Sequence, residues 1–282
     1  MAYKSIFSVI TAAAQAHATI AVCAELCAQQ NGHLDVLTLG IDRIQMGYSY
    51  MGAEAVLMEA TMERATAEAG VNEAATRAAL TEPAPGLRWS LDSAVVQMGS
   101  VTDLVAAHAR FADLVVLARP YEATATDEAA VVLEAALFNA RAPVLVVPTP
   151  DHVPKLPPRR IVLAWDQSAE ALAATRLALP FLRAADQVVI TIVDPGAYSP
   201  ERSDPGGLLC QMLVRHGVKA EVSVLAKTLP RVSEVLARQV TDVNADMLVM
   251  GAYGHSRLRQ AILGGATRDL LEHAAVPVFL AH

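Results

Sequence analysis

The stretch MGAYGHSRLRQAILGGATRDLL, residues 250–271, holds four glycines in two clusters. Gly251 and Gly254 come first, Gly264 and Gly265 follow, and Arg257 and Arg259 lie between them. Glycine lets a main chain approach a bulky anion without interference from a Cβ. Beyond the second cluster, Thr267 opens a helical pattern, Thr-Arg-Asp-Leu-Leu-Glu-His. The first-turn N–H groups of such a helix have no partner within it, and with the helix dipole they attract an anion. The chemistry offered is therefore the holding of a phosphate. Thr267 adds a hydroxyl to that anion or caps the helix. The same glycines also serve as ordinary joints between a strand and a helix, so the pattern alone leaves both readings open. The chain has no G-x-x-x-x-G-K-[ST] loop, no G-x-G-x-x-G after its first strand and no G-x-S-x-G elbow. No catalytic residue is assigned; His255 is the nearest general-base type and reads as a solvated loop histidine.

The elements that must position these residues repeat. FADLVVLARPY (111–121) resembles NADMLVMGAYG (244–254), APVLVVP (142–148) resembles VPVFLAH (276–282), and KSIFSVITAAA (4–14) aligns with RRIVLAWDQSA (159–169). The join, VPTPDHVPKLPPRR, contains five prolines and reads as a linker. Short apolar runs rich in β-branched residues recur at 5–10, 34–39, 89–96, 114–118 and 144–147, and again at 161–165, 188–193, 221–226, 247–250 and 278–280. Runs of this kind read as strands buried on both faces. Helical patterns stand between them at 54–80, 169–182, 232–243 and 268–274. Alternating strands and helices predict an α/β fold of two tandem doubly wound domains, each a five-stranded parallel sheet flanked by helices. The expected boundaries are 1–148, a proline-rich linker at 149–159, and 160–282.

With this spacing in view, Gly251-x2-Gly254-x9-Gly264, followed by a strand at the C-terminus, resembles the ATP-binding signature of the universal stress protein family, G-x2-G-x9-G-[S/T]. RRIVLAWDQSAEAL resembles that family's first strand with its Asp and Ser, and ADMLVMGAYGHSRL resembles the strand entering the loop. The resemblance covers nearly the whole chain as two family domains. It implies Asp166 on the adenine side with Ala164 beside it, Ile192 packed on the base, and Met250 and Gly251 flanking the nucleotide. It further implies phosphate access at Gly254, and phosphates held by Gly264, Gly265, Ala266 and Thr267. Asp166 reads equally as a helix cap before Ser168. One position departs from the signature: Gly265 replaces the usual Ser or Thr. A lost hydrogen bond to a charged group costs roughly 1.5–3 kcal/mol, about ten- to a hundredfold in affinity. Arg257 and Arg259 are the residues available to offset it by pairing with phosphate.

The first half lacks these residues. Thr11 stands in place of Asp166, Ala118 and Tyr121 in place of Gly251 and Gly254, and TDEAA (126–130) in place of the second glycine pair. Pro120 has no N–H to donate, and the carboxylates of Asp127 and Glu128 are expected to repel phosphate. This half is expected to keep the fold and to serve as a built-in pseudo-dimer partner.

Composition narrows the function. A net charge of −7 and only short basic stretches argue against a nucleic-acid partner. Three cysteines make no disulfide framework, and Cys23 and Cys27, one helical turn apart, read as small buried residues rather than a metal pair. The opening segment has a signal-peptide flavour, but its repeat counterpart is an internal strand and helix start, so cleavage would remove a central strand. Polar residues interrupt it, so no membrane span is expected. The reading is a cytoplasmic stress-response protein that binds ATP, with Mg, in its C-terminal half and acts on an unidentified protein partner as a regulator rather than an enzyme. A further homodimer is left open. The alternatives are a nucleotide-free interaction scaffold and an ATP-hydrolysing or adenylate-transferring enzyme; the second is disfavoured because WDQSAEAL has no glycine.

Overall fold

The computed structural model describes residues 2–43, 54–82, 86–121, 125–148, 154, 156–195, 203–252 and 265–282. By packing, the chain divides into an N-terminal unit built mainly from Tyr3–Ala140 and a C-terminal unit built mainly from Arg141–Pro148 and Pro154–His282.

The N-terminal unit runs β1 (Ser5–Ile10), α1 (Ala13–Gln30), β2 (His33–Asp42), α2 (Glu54–Thr81), β3 (Trp89–Gln97), α3 (Val101–Ala109), β4 (Leu114–Ala118) and α4 (Glu128–Glu134). A π turn at Ala135–Asn139 continues α4. The strands lie in the order β3-β2-β1-β4, all parallel. The β1 residues Ile6, Phe7, Val9 and Ile10 are buried, as an inner strand requires. Helix α2 sits very close to β2: a Cβ on Gly40 would lie 1.9 Å from the Ala65 carbonyl oxygen.

The C-terminal unit runs β5 (Val144–Val147), β6 (Arg160–Ala164), α5 (Ala169–Leu177), α6 (Leu179–Ala184), β7 (Gln187–Val193), α7 (Gly207–Arg215), β8 (Ala220–Leu225), α8 (Val232–Asp242), β9 (Met247–Gly251), α9 (Ala266–His273) and β10 (Val278–Ala281). The strand order is β5-β10-β9-β6-β7-β8. Each half of the sequence thus supplies five strands, as expected. Three details differ from expectation. Strands β3 and β8, each paired on one side only, have no buried residue, so the expected burial on both faces fails for them. Strand β5 is antiparallel to β10, with Leu145 opposite Phe279, and so joins the strands of the second half. An apolar run records burial but not which neighbour or direction provides it. The helical pattern at 169–182 is two helices, because Pro180 in the first turn of α6 has no N–H to continue α5.

The repeat has a structural counterpart in each half. Asp113, just before β4, accepts the main-chain N–H groups of Lys4 at 2.7 Å and Ser5 at 3.0 Å. Asp246, just before β9, accepts those of Arg159 and Arg160, both at 2.9 Å. Each aspartate ties the start of the first strand of its half to the fourth. The opening segment is therefore an inner strand held at its entry. No helix among the described residues is long and apolar enough to cross a membrane.

Candidate functional site

In the C-terminal unit the chain winds from β6 to β7 and β8 in one direction, then returns to β9 and β10 on the other side of β6. The reversal opens a crevice beyond the carboxyl ends of β6 and β9, where open α/β sheets hold ligands. A cleft of about 120 Å³ lies there, lined by residues that include Ala164, Asp166, Thr191, Val193, Met250 and Gly251. This is smaller than the roughly 300–1,000 Å³ of typical small-molecule sites, with room for about one flat ring.

Each wall has a local cause. After β6, Trp165 donates its N–H to the Thr191 carbonyl at 2.9 Å, which keeps the chain against β7 for one more residue. Asp166 then turns the chain: its Oδ1 accepts the Ser168 N–H at 3.0 Å. Ser168 caps α5 through its Oγ, which accepts the Ala171 N–H at 3.0 Å. The cap of α5 is thus Ser168 rather than Asp166, whose one carboxylate oxygen makes the preceding turn while its exposed side chain lines the cleft. Gly251 closes β9 opposite Ala281. A Cβ there would lie 2.5 Å from the Ala171 nitrogen and 2.7 Å from the Glu170 carbonyl carbon. The close approach of α5 is a packing reason for glycine at this position that needs no ligand.

Gly265 is the N-cap residue of α9, in an extended conformation with no side-chain cap. Ala266 lines the cleft and is exposed, while Thr267 is buried. The uncapped first turn of α9 therefore stands at the cleft's edge. Gly254, Gly264, His255, Arg257 and Arg259 lie outside the described residues.

Of the residues predicted from sequence, the structure brings Ala164, Asp166, Met250, Gly251 and Ala266 to one cleft. Ile192 is not in its lining. Its neighbours Thr191 and Val193 are, and strand alternation turns Ile192 to the other face, where its Cδ1 lies 2.8 Å from the position a Cβ on Gly206 would take. Sequence reasoning missed Trp165, and it missed Val232 and Leu236 of α8, which complete the wall. The apolar i, i+4 pair on α8 was legible, but nothing local tied that helix to this crevice. A larger hollow of about 810 Å³ lies at the opposite, amino-terminal edge of these strands. It is open, and its lining charges are partly spent on one another, as Arg159 with Asp186 at 3.4 Å. It is away from the edge where α/β sheets bind.

The corresponding corner of the N-terminal unit is filled by its own side chains. The Thr126 hydroxyl donates to the Thr11 hydroxyl at 3.0 Å. The Asn72 amide donates to the main-chain oxygens of Thr11 at 3.2 Å and Leu39 at 2.9 Å. Glu128, the first residue of α4, is buried, and its carboxylate is held on both oxygens by Arg43. Arg43 also grips Glu68 of α2 at 2.9 and 3.0 Å. Burial alone would raise the Glu128 pKa; bonds from Arg43, its own main chain and Thr126, with the Arg43 charge, more than offset it and hold the carboxyl below its ordinary value. The reason sequence offered, repulsion of phosphate by bare carboxylates, changes here: Glu128 is not bare but paired with Arg43, which it shares with Glu68.

Residues 157–282 match the sequence model of the universal stress protein family. A universal stress protein of Synechocystis sp. strain PCC 6803 is 30% identical over 120 residues, 42% of this chain and 41% of that protein. The chain thus spans about two fifths of that relative's length. The fold of the whole chain resembles a universal stress protein from Archaeoglobus fulgidus DSM 4304, at 14% identity and a TM-score of 0.65, covering 98% of this chain and 95% of the other. It also resembles a functionally unknown protein from Pseudomonas aeruginosa PAO1, at 14% identity and a TM-score of 0.55, covering 99% and 92%.

Proposed function

We propose that the C-terminal half of this chain, whose residues 157–282 match the sequence model of the universal stress protein family, binds an adenine nucleotide and that the protein is a cytoplasmic regulator. The observation that carries this reading is the meeting of the β6–β9 crevice with the uncapped start of α9. The base enters between Ala164 and Asp166 on one side and Met250 and Gly251 on the other, with Val193 taking the packing role first expected of Ile192. The phosphates lie outside, toward the main-chain N–H groups of Ala266 and Thr267. Binding is weak, because Gly265 brings no hydroxyl. Asp166 is the single ionisable side chain in the described lining, so the proposed role is binding rather than catalysis.

A nucleotide-free scaffold is the second reading. The small cleft and the packing reason for Gly251 favour it. Calorimetric titration of nucleotide-stripped protein with Mg-ATP separates the two. One site per chain, weakened by Asp166→Ala, supports the nucleotide reading. No heat, together with no protection against thermal unfolding at millimolar ATP, replaces it with the scaffold.

A further inference from the structure

Helices α8 and α9 meet at the cleft, and one ion pair joins them. The Arg231 Nη1 lies 3.0 Å from the Asp269 Oδ2. Arg231 is the residue before Val232, which lines the cleft, and its N–H donates to Glu234 at 3.2 Å, so the start of α8 is fixed. Asp269 lies one turn into α9, its N–H bonded to the Gly265 oxygen at 3.1 Å. Side chains on a helix lean toward its N-terminus. Asp269 is thus directed back toward the turn that Gly265 opens, and the Arg231 guanidinium it holds lies at the contact of α8 with α9, next to the cleft lining rather than in it.

We infer that Arg231 is the cation that recognises the phosphates of a nucleotide bound in this cleft, an inference that rests on the nucleotide reading above. Three features point to it. First, among the described residues Asp269 engages Nη1 alone, so Nε and Nη2 keep their donors for a phosphate oxygen. Second, Asp269 does not depend on Arg231 alone, because the Ser233 hydroxyl donates to the same oxygen at 3.2 Å. Arg231 can offer Nε and Nη2 to a ligand while Nη1 and the Ser233 hydroxyl keep Asp269 bonded. Third, a lone carboxylate beside the start of α9 would repel a phosphate, and Arg231 cancels that charge. Arg231 thus replaces the missing hydroxyl at Gly265, the task that sequence reasoning gave to Arg257 and Arg259. The Arg231 side chain is 64% exposed, and exposed pairs contribute little to stability, so its loss is read cleanly in affinity.

The test compares wild type, Arg231→Gln and Asp269→Asn by titration with Mg-ATP and, separately, with adenosine. Arg231→Gln is expected to weaken Mg-ATP about tenfold, the loss of one charge-assisted bond, and to leave adenosine unchanged. Asp269→Asn is expected to tighten Mg-ATP by roughly threefold, because a like charge leaves the helix start and Arg231 is released. A purely structural clamp predicts the opposite sign for Asp269→Asn. Weakening by both variants, or equal loss for adenosine and Mg-ATP, overturns the assignment, as does Mg-ATP affinity unchanged in Arg231→Gln. Wild type that binds no Mg-ATP overturns the nucleotide reading itself, and this inference with it.

Discussion

Arg43 and Glu128 stand 85 residues apart in the chain, yet the guanidinium of one closes on both carboxylate oxygens of the other, with the Glu128 side chain 1% exposed. Through Arg43 the end of β2, helix α2 and the start of α4 become one charged cluster. The place where a ligand anion would lie in the N-terminal unit holds an internal carboxylate.

Glu128→Gln should destabilise the chain by about 1–3 kcal/mol at neutral pH, the cost of weakening a bond between charged groups, measured by urea unfolding. The native carboxyl lies below its ordinary value. Its contribution is therefore full above the unfolded value, about 4.3, and fades as pH falls through the lower native one. The gap between wild type and Glu128→Gln should narrow below about pH 4. A gap that persists unchanged at lower pH would assign the effect to packing instead.

Gly40→Ala should cost about 3 kcal/mol. The new Cβ meets main chain, the Ala65 oxygen at 1.9 Å and the Ala69 nitrogen at 2.8 Å, so α2 as a whole must shift. The same urea series, followed by circular dichroism, checks it. An unchanged midpoint would mean that α2 is not seated on β2.

Ser168→Ala should cost about 1 kcal/mol by removing the cap of α5. Asp166→Asn keeps an acceptor for the Ser168 N–H and should cost less. Thermal unfolding of the pair ranks them. The reverse order would show that the Asp166 charge, rather than the cap, holds the turn.

At pH 8 a thiol reagent should modify Cys210 first, with Cys23 and Cys27 reacting only on unfolding. Cys210 is partly exposed and the other two are buried. Burial is the main force pushing Cys27 up to about 11, with Arg88 opposing and Asp35 adding. Burial also raises Cys23, and its neighbour Cys27 raises it further. Rapid release of more than one equivalent by the native protein would contradict the packing of α1. No group of three or more candidate metal ligands occurs among the described residues.

The amino-acid sequence by itself determined the strands, their five-and-five count and the repeat. A run such as Val144–Val147 is apolar throughout because both its faces are covered, and that condition is written into consecutive residues. The matched Asp113 and Asp246 were visible as echoes, and their identical bonding to the first strand of each half explains the echo. Candidate site residues adjacent to strand ends, such as Ala164, Asp166 and Met250, were legible for the same reason. Tertiary structure alone decided the rest. It set β5 antiparallel to β10, turned Ile192 away from the cleft, pressed α5 onto Gly251, and joined Arg231 to Asp269 and Arg43 to Glu128. These depend on which faces meet. Residue spacing along a chain records the period of one element, whereas the contact between two elements exists only once the sheet has brought them together.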